Sequence, residues 1–135
     1  MDLLVNIDVP DLASAEGFYT EAFGLTATRR FGAAGVELSG WPARVYLLEK
    51  PEGSVGARQD LRRYARHWSP VHLDVVVDEL GPALARAVAA GATVETEPRR
   101  AAWGSIATLA DPFGHGFCLI EFHGRGYDEI ADPAE

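Results

Sequence analysis

Two residues in the second half of the chain have side chains that could hold a metal ion or move a proton: His72 and Cys118. An imidazole changes its charge close to neutral pH, so His72 could be a general base, a metal ligand or simply a hydrogen-bonded strand residue. A Cys118–His72 pair could activate a thiolate, although a single strand cysteine is more often a packed hydrophobic residue. A zinc site completed by Asn6 or Asp74 is a further interpretation.

Other polar and aromatic side chains alternate along apolar segments. Asn6 and Asp8 either hydrogen-bond a ligand or lie at a solvated rim, because polar groups on an apolar strand face need partners. Aromatic rings at Tyr46, Trp41, Trp68 and Trp103 could stack on a planar ligand, or else belong to the core or a dimer contact. We therefore expect the following ligand-binding residues: Asn6, Asp8, Tyr46, Leu48, His72, Asp74, Trp103 and Cys118.

A basic cluster stands out between positions 58 and 67 of this acidic chain. It consists of Arg58, Arg62, Arg63, Arg66 and His67. Guanidinium groups suit carboxylate and phosphate, so the cluster could be a lid over an anionic ligand. The alternative, which we favour, is a solvated helix face.

The elements that position these residues follow one order twice: a strand, a helix and three strands. We predict strands at 3–9, 25–31, 36–39 and 44–49, and again at 71–77, 92–97, 103–110 and 116–122. The first helix starts at Asp11 and ends at Gly24, whereas the second is capped by Asp78, with Pro82 in its first turn, and ends at Gly91.

Two connecting segments carry separate predictions. Residues 51–68 are predicted to be irregular or briefly helical. Asp111-Pro112-Phe113-Gly114 forms a turn, which leaves His115 in solvent at the end of a hairpin.

Residue matches between the two halves indicate a duplication. Gly24-Leu25-Thr26-Ala27 corresponds to Gly91-Ala92-Thr93-Val94, and the closing strands match in type at four of their five positions. The predicted fold class is α+β, with two βαβββ modules forming a curved mixed sheet around a concave cup. We expect one domain at 1–122, with module 1 at about 3–50, a linker or lid at about 51–69, module 2 at about 70–122 and an acidic tail at 123–135.

Three motifs, in this order and spacing, resemble the vicinal-oxygen-chelate superfamily, also called the glyoxalase/bleomycin-resistance/dioxygenase family. They are Val9-Pro10-Asp11-Leu12-Ala13-Ser14, His72-Leu73-Asp74-Val75-Val76-Val77-Asp78 and Asp111-Pro112-Phe113-Gly114-His115. The last motif is most similar to a glyoxalase-like subgroup, largely of unassigned function. The resemblance implies a paired-module fold and a homodimer.

The resemblance also implies four metal-ligand positions, which fall here on Leu4, Tyr46, His72 and Cys118. A leucine cannot bind a metal and a tyrosine does so rarely, so His72 is the only family-like ligand retained. We therefore expect no metal and no other cofactor. The alternative is a divalent ion (Zn, Fe, Mn or Ni) at a non-standard site.

Composition excludes several partners. The chain has 20 acidic and 12 basic residues and a net charge of −8, which argues against nucleic acid and anionic membrane surfaces as partners. Its single cysteine excludes an intrachain disulfide, and no apolar stretch reaches the roughly 18 residues of a membrane span. With no basic leader at the N-terminus, we expect a cytoplasmic protein.

Three functions remain open. The first is metal-independent binding of a small organic molecule in the cup. The second is a lyase, isomerase or dioxygenase that uses a rearranged metal site or metal-free acid/base chemistry by His72. The third is a structural or regulatory dimer without a ligand.

Overall fold

The computed structural model of the protein describes residues 1–134. Glu135, the last residue of the predicted acidic tail, lies outside the described residues. The chain divides into two compact units, of which one spans Met1–Arg66 and the second begins at His67. No helix within residues 1–134 is long and apolar enough to cross a membrane.

The first unit contains one helix and a four-stranded mixed sheet. Its elements are β1 (Leu4–Val9), α1 (Leu12–Phe23), β2 (Thr26–Arg30), β3 (Gly35–Ser39), β4 (Arg44–Glu49) and the short strands β5 (Val55–Ala57) and β6 (Asp60–Leu61). The sheet order is β1-β4-β3-β2, with β1 parallel to β4 and the other pairs antiparallel.

The second unit repeats this arrangement. Its elements are β7 (Leu73–Val76), α2 (Leu80–Ala90), β8 (Thr93–Ala101), β9 (Gly104–Ala110), β10 (Gly116–Phe122) and a short 3-10 helix (Gly126–Glu129). The sheet order β7-β10-β9-β8 matches that of the first unit strand for strand. The predicted α+β class and its two βαβββ modules are therefore confirmed.

The first helix has the ends that the sequence predicts. The Asp11 carboxylate accepts a hydrogen bond from the backbone N–H of Ser14 at 2.9 Å. Gly24 adopts a left-handed φ of 68° and donates its N–H to the Thr20 carbonyl, which satisfies an otherwise unpaired group. The backbone N–H of Leu12 donates to the Glu49 carboxylate at the end of β4, at 2.9 Å. The closing strand thus also caps the helix of its own unit.

The predicted cap of the second helix is wrong. Glu79, not Asp78, is the N-cap residue, and its side chain makes no cap hydrogen bond. The pKa of Glu121 in β10 is lowered by His123 and, to a smaller extent, by the backbone of Leu80 at the start of α2. Glu121 is the counterpart of Glu49, so each of the two carboxylates lies near the first residue of the helix in its own unit.

Other boundaries also differ from the prediction. Strand β7 starts at Leu73, two residues later than expected, so His72 lies just before it. Strand β8 runs on to Ala101, with register shifts on either side of Thr96, because an edge strand tolerates Pro98 at an irregularity. The 51–68 segment, predicted to be irregular or briefly helical, contains no helix; it forms the β5–β6 hairpin, with Arg58 at φ 56° in its turn, and is otherwise irregular.

The turn between β9 and β10 does not leave His115 free in solvent as predicted. The buried Asp111 carboxylate accepts the backbone N–H groups of Phe113 and His115 at 2.8 and 2.9 Å. Its second oxygen lies 2.8 Å from His115 Nδ1. Asp111 therefore organises the turn and holds the imidazole against it.

Candidate functional site

Each sheet has one face covered by its helix and one face that carries polar side chains. In the first unit, Val9, Val36, Leu38, Val45 and Leu47 are fully buried. Side chains alternate along a strand, so the residues between them point to the opposite face. That helix-free face carries Asn6, Asp8, Glu37, Tyr46 and Leu48, and the register places Asn6 beside Tyr46 and Tyr46 beside Glu37.

An ionic cluster occupies the centre of the helix-free face of the first sheet. Glu37 is 4% exposed and accepts hydrogen bonds from Arg29 (2.6 Å), Tyr46 (2.6 Å) and Thr28 (2.7 Å). The Arg29 guanidinium, followed by the Tyr46 and Thr28 hydroxyls, holds the pKa of Glu37 well below its usual range. In turn, Glu37 raises the pKa of Arg29. Glu37 and Arg29 therefore keep their charges near neutral pH, and these fixed charges can bind and orient a ligand.

An exposed aromatic surface adjoins this cluster. The Phe31 side chain is 47% exposed, and its ring centroid lies 6.0 Å from that of Tyr46. The Arg29 guanidinium carbon lies 5.8 Å from the Phe31 centroid, within reach of a cation–π interaction. Gly35 makes room for this ring, because a Cβ there would lie 3.3 Å from the Phe31 Cβ and 3.5 Å from Leu48. We call Phe31, Tyr46 and Arg29 the aromatic surface.

Asp8, another predicted binding residue, is engaged within its own unit. Its carboxylate accepts a hydrogen bond from Arg62 Nε at 2.7 Å, and the same guanidinium donates to the Val55 carbonyl of the hairpin. Arg62 is therefore not part of a solvated helix face but ties the β5–β6 hairpin to β1. Asn6 is exposed and Leu48 is half-buried on the same side of the sheet.

The helix-free face of the second sheet brings together His72, Asp74 and Cys118. Strands β7 and β10 are parallel, and their register places Asp74 directly beside Cys118. His72 lies two positions before Asp74 and so shares its face, with Nε2 at 3.1 Å from Asp74 Oδ1. One ligand atom from each of the three side chains lies within 4.8 Å of the others. The predicted proximity of His72 and Cys118 is thus present inside a single unit.

The environment of Cys118 argues against a nucleophile. Burial raises the pKa of the Cys118 thiol, and the neighbouring Asp74 carboxylate raises it further. The Thr108 hydroxyl, 3.5 Å from the sulfur, acts in the opposite direction. A thiolate nucleophile needs a lowered pKa and a base that takes its proton, whereas here His72 is paired with Asp74.

The family's four metal positions do not fit the residues present. Leu4 has no donor atom and is 52% exposed, and the Tyr46 hydroxyl is engaged with Glu37. The first unit therefore offers no ligand at either of its positions, and the second offers His72 and Cys118.

The three tryptophans occupy separate environments. Trp103 packs against Phe122 and Tyr127, with ring centroids 6.2 and 5.2 Å away, so it anchors the C-terminal segment. Trp41 packs on Phe23 at 5.1 Å. Trp68 lies beside His72, with ring centroids 4.8 Å apart. Of the three, Trp68 is therefore the one beside the His72–Asp74–Cys118 group.

Sequence reasoning missed Glu37, Arg29 and Thr108. A usable signal existed for Glu37, because a carboxylate between Val36 and Leu38 in a short apolar strand needs a partner when it is buried. Arg29 and Thr108 become visible only through strand pairing.

Comparison with known proteins identifies the family. A family model described as "Glyoxalase-like domain" matches residues 4–120. The chain is 29% identical over 130 residues to the anthracycline biosynthesis protein DauV from Streptomyces sp. (strain C5), a match that covers 96% of this chain. It spans only 44% of the length of that relative.

Solved structures share the fold at low sequence identity. A glyoxalase/bleomycin resistance protein/dioxygenase family enzyme from Burkholderia phytofirmans PsJN has a TM-score of 0.70 and 20% identity, with 91% of this chain and all (100%) of that chain covered. A point mutant of the fosfomycin resistance protein FosX from Listeria monocytogenes, complexed with Mn(II) and 1S,2S-dihydroxypropylphosphonic acid, has a TM-score of 0.68 and 15% identity, with 87% of this chain and 86% of that chain covered. The family-model match over residues 4–120 confirms the glyoxalase-like resemblance, and the solved structures show that the fold is shared with a glyoxalase/bleomycin resistance protein/dioxygenase family enzyme; the chain belongs to the glyoxalase-like domain family.

Proposed function

We propose that the protein binds a small planar organic molecule on the aromatic surface of its first unit, without using the family's usual metal site. The observation that carries the proposal is the exposed Phe31 ring, held 6.0 Å from Tyr46 and beside a charged guanidinium. An aromatic ring that stays exposed next to a fixed cation offers a stacking surface and an electrostatic partner for a ligand.

The hydrogen-bonding state of Tyr46 defines the ligand further. Its hydroxyl donates to Glu37 and accepts a long hydrogen bond from Arg29 at 3.4 Å, so towards a ligand the oxygen can only accept, through its remaining lone pair. Arg29, whose side chain is 62% exposed, can only donate. A planar molecule carrying both a hydroxyl donor and a carbonyl or anionic oxygen matches this pair. The name of the Streptomyces relative, an anthracycline biosynthesis protein, is in keeping with hydroxylated aromatic ligands.

A direct test uses a dihydroxyanthraquinone as the probe. Binding is measured by calorimetric titration and by thermal shift, and saturation at a hundredfold excess over Kd should stabilise the protein by about 2.7 kcal/mol. Phe31→Leu removes the ring and should weaken binding about 2- to 10-fold, the range that aromatic contacts contribute.

The matched control is Phe122→Leu, since Phe122 is a comparably exposed phenylalanine of the second unit (38% against 47%). This control should bind the probe like the unmodified protein. Absence of binding, or equal loss in both variants, would contradict the proposal.

A homodimer and a cytoplasmic location, both expected from the sequence, belong to the same proposal. Edge strands β1 and β7 leave apolar side chains exposed, among them Leu4 at 52% and Val76 at 57%, and a second copy could cover them. Light scattering coupled to size-exclusion chromatography separates a dimer from a monomer.

A further inference from the structure

We propose that His72, Asp74 and Cys118 form a zinc site within the second unit, with three protein ligands and one position left for a ligand from solution. This zinc site goes beyond the proposed function, because it uses other residues and needs no organic ligand. It also differs from the arrangement that the family resemblance implies, since one unit supplies all three ligands.

The backbone places the three side chains together before any metal binds. The parallel register of β7 and β10 fixes Asp74 beside Cys118, and His72, just before β7, has its imidazole next to the Asp74 carboxylate. Ligand atoms around a tetrahedral zinc ion are about 3.3–3.6 Å apart. The three donor atoms already lie within 4.8 Å of one another, and His72 and Asp74 are at 3.1 Å. The most widely separated of these atoms would have to approach one another by about 1 Å to reach the spacing around a zinc ion.

The donor set selects the ion. A thiolate together with an imidazole and a carboxylate suits zinc, whereas Mg²⁺, Ca²⁺ and Mn²⁺ prefer oxygen donors. Three protein ligands with an open fourth position are typical of zinc sites that bind water or a substrate.

Two neighbouring residues would support the ligands. The Thr108 hydroxyl lies 3.5 Å from the Cys118 sulfur and could donate a hydrogen bond to the thiolate. The Trp68 ring, 4.8 Å from that of His72, limits rotation of the imidazole. Both are positioning residues and not ligands.

The rest of the second unit supplies controls. His115 is paired with Asp111 at 2.8 Å and His123 with Glu121 at 2.6 Å, yet neither pair has a cysteine beside it. Among residues 1–134, the His72 group is the one set of three such donors close enough to hold an ion. His115→Ala therefore removes an imidazole–carboxylate pair but no part of the proposed site.

The test uses the full chain without an affinity tag, purified without chelator. Zinc content is measured by elemental analysis and affinity by competition with a chromophoric chelator. Cobalt(II) serves as the spectroscopic probe, because a thiolate–cobalt bond gives a charge-transfer absorption that nitrogen and oxygen ligands do not.

We expect one zinc per chain and a cobalt–thiolate absorption, both lost in Cys118→Ser and His72→Ala and both kept in His115→Ala. Thr108→Val should weaken the affinity for zinc about 10- to 100-fold, as the loss of a supporting hydrogen bond to a ligand does. Circular dichroism establishes that each variant is folded. The proposal is overturned if the unmodified protein binds zinc no better than Cys118→Ser, or if cobalt binds without the thiolate absorption.

Discussion

The hydrogen bond between Tyr46 and Glu37 gives the sharpest test of how the first unit is held together. Tyr46→Phe keeps the ring and removes only the hydroxyl, which donates to Glu37 Oε2 at 2.6 Å. A distance this short is typical of a hydroxyl bonded to an ionised carboxylate. Removing it leaves Glu37 with its bonds to Arg29 and Thr28, so the carboxylate keeps partners.

The expected cost follows from the charge and the burial. A hydrogen bond to a charged group contributes about 1.5–3 kcal/mol, and Tyr46 is only half-buried, so we expect the lower end, about 1.5 kcal/mol. For a chain of 135 residues this corresponds to a fall in Tm of roughly 4–8 °C. The measurement is urea unfolding followed by tryptophan fluorescence and circular dichroism at neutral pH.

A double-mutant cycle decides whether the negative charge of Glu37 is the reason for the cost of Tyr46→Phe. In a Glu37→Gln background the same hydroxyl can make only a neutral hydrogen bond, so Tyr46→Phe should cost about 0.5–1 kcal/mol. The control is Tyr127→Phe, which removes a hydroxyl from an exposed tyrosine in the second unit and should change stability by less than about 0.5 kcal/mol. Equal effects of Tyr46→Phe in both backgrounds would refute the reasoning.

Two further predictions concern the same unit. Because the pKa of Glu37 is lowered in the folded state, its carboxylate stabilises the protein fully above about pH 5.5, and this contribution is lost as the pH falls below about 4.3, where the unfolded state takes up the proton first. The stability difference between the unmodified protein and Glu37→Gln should therefore shrink in acid. A constant difference in urea unfolding between about pH 7 and about pH 3.5 would contradict this, because an unfolded glutamate titrates near pH 4.3, inside that span. Arg62→Ala should free the β5–β6 hairpin from Asp8 and speed limited proteolysis within residues 51–66, an outcome read by mass spectrometry. Unchanged cleavage in this variant would mean that the hairpin is held by other contacts.

Local patterns in the sequence were enough to predict the architecture of the two modules. The order of strands and helices follows from the spacing of apolar residues and from turn residues such as Gly24. Both signals depend only on residues a few positions apart in the sequence. The match between the two halves identified Tyr46 and Cys118 as equivalent, and the strand registers confirm it by placing Asn6 beside Tyr46 and Asp74 beside Cys118.

Which residues meet at the aromatic surface and in the His72–Asp74–Cys118 group depended on pairing between strands that are distant in the sequence. The same dependence applies to the start of the second helix, where the sequence suggested a cap by the adjacent Asp78, whereas Glu121, from a strand far along the chain, lies near Leu80. Arg29 meets Glu37 only because β2 pairs with β3 through an irregular register.

The sequence by itself therefore determined the strands and helices of the two modules and their duplication, and it predicted that Leu4 and Tyr46 do not serve as metal ligands. The tertiary structure decided that Glu37 is a fixed charge and that Asp74 lies between His72 and Cys118. The physical reason is that hydrophobic periodicity is a local property of the chain, whereas the partners of a buried or half-buried polar group are set by strand register, and a shift of one residue would move every such group to the other face.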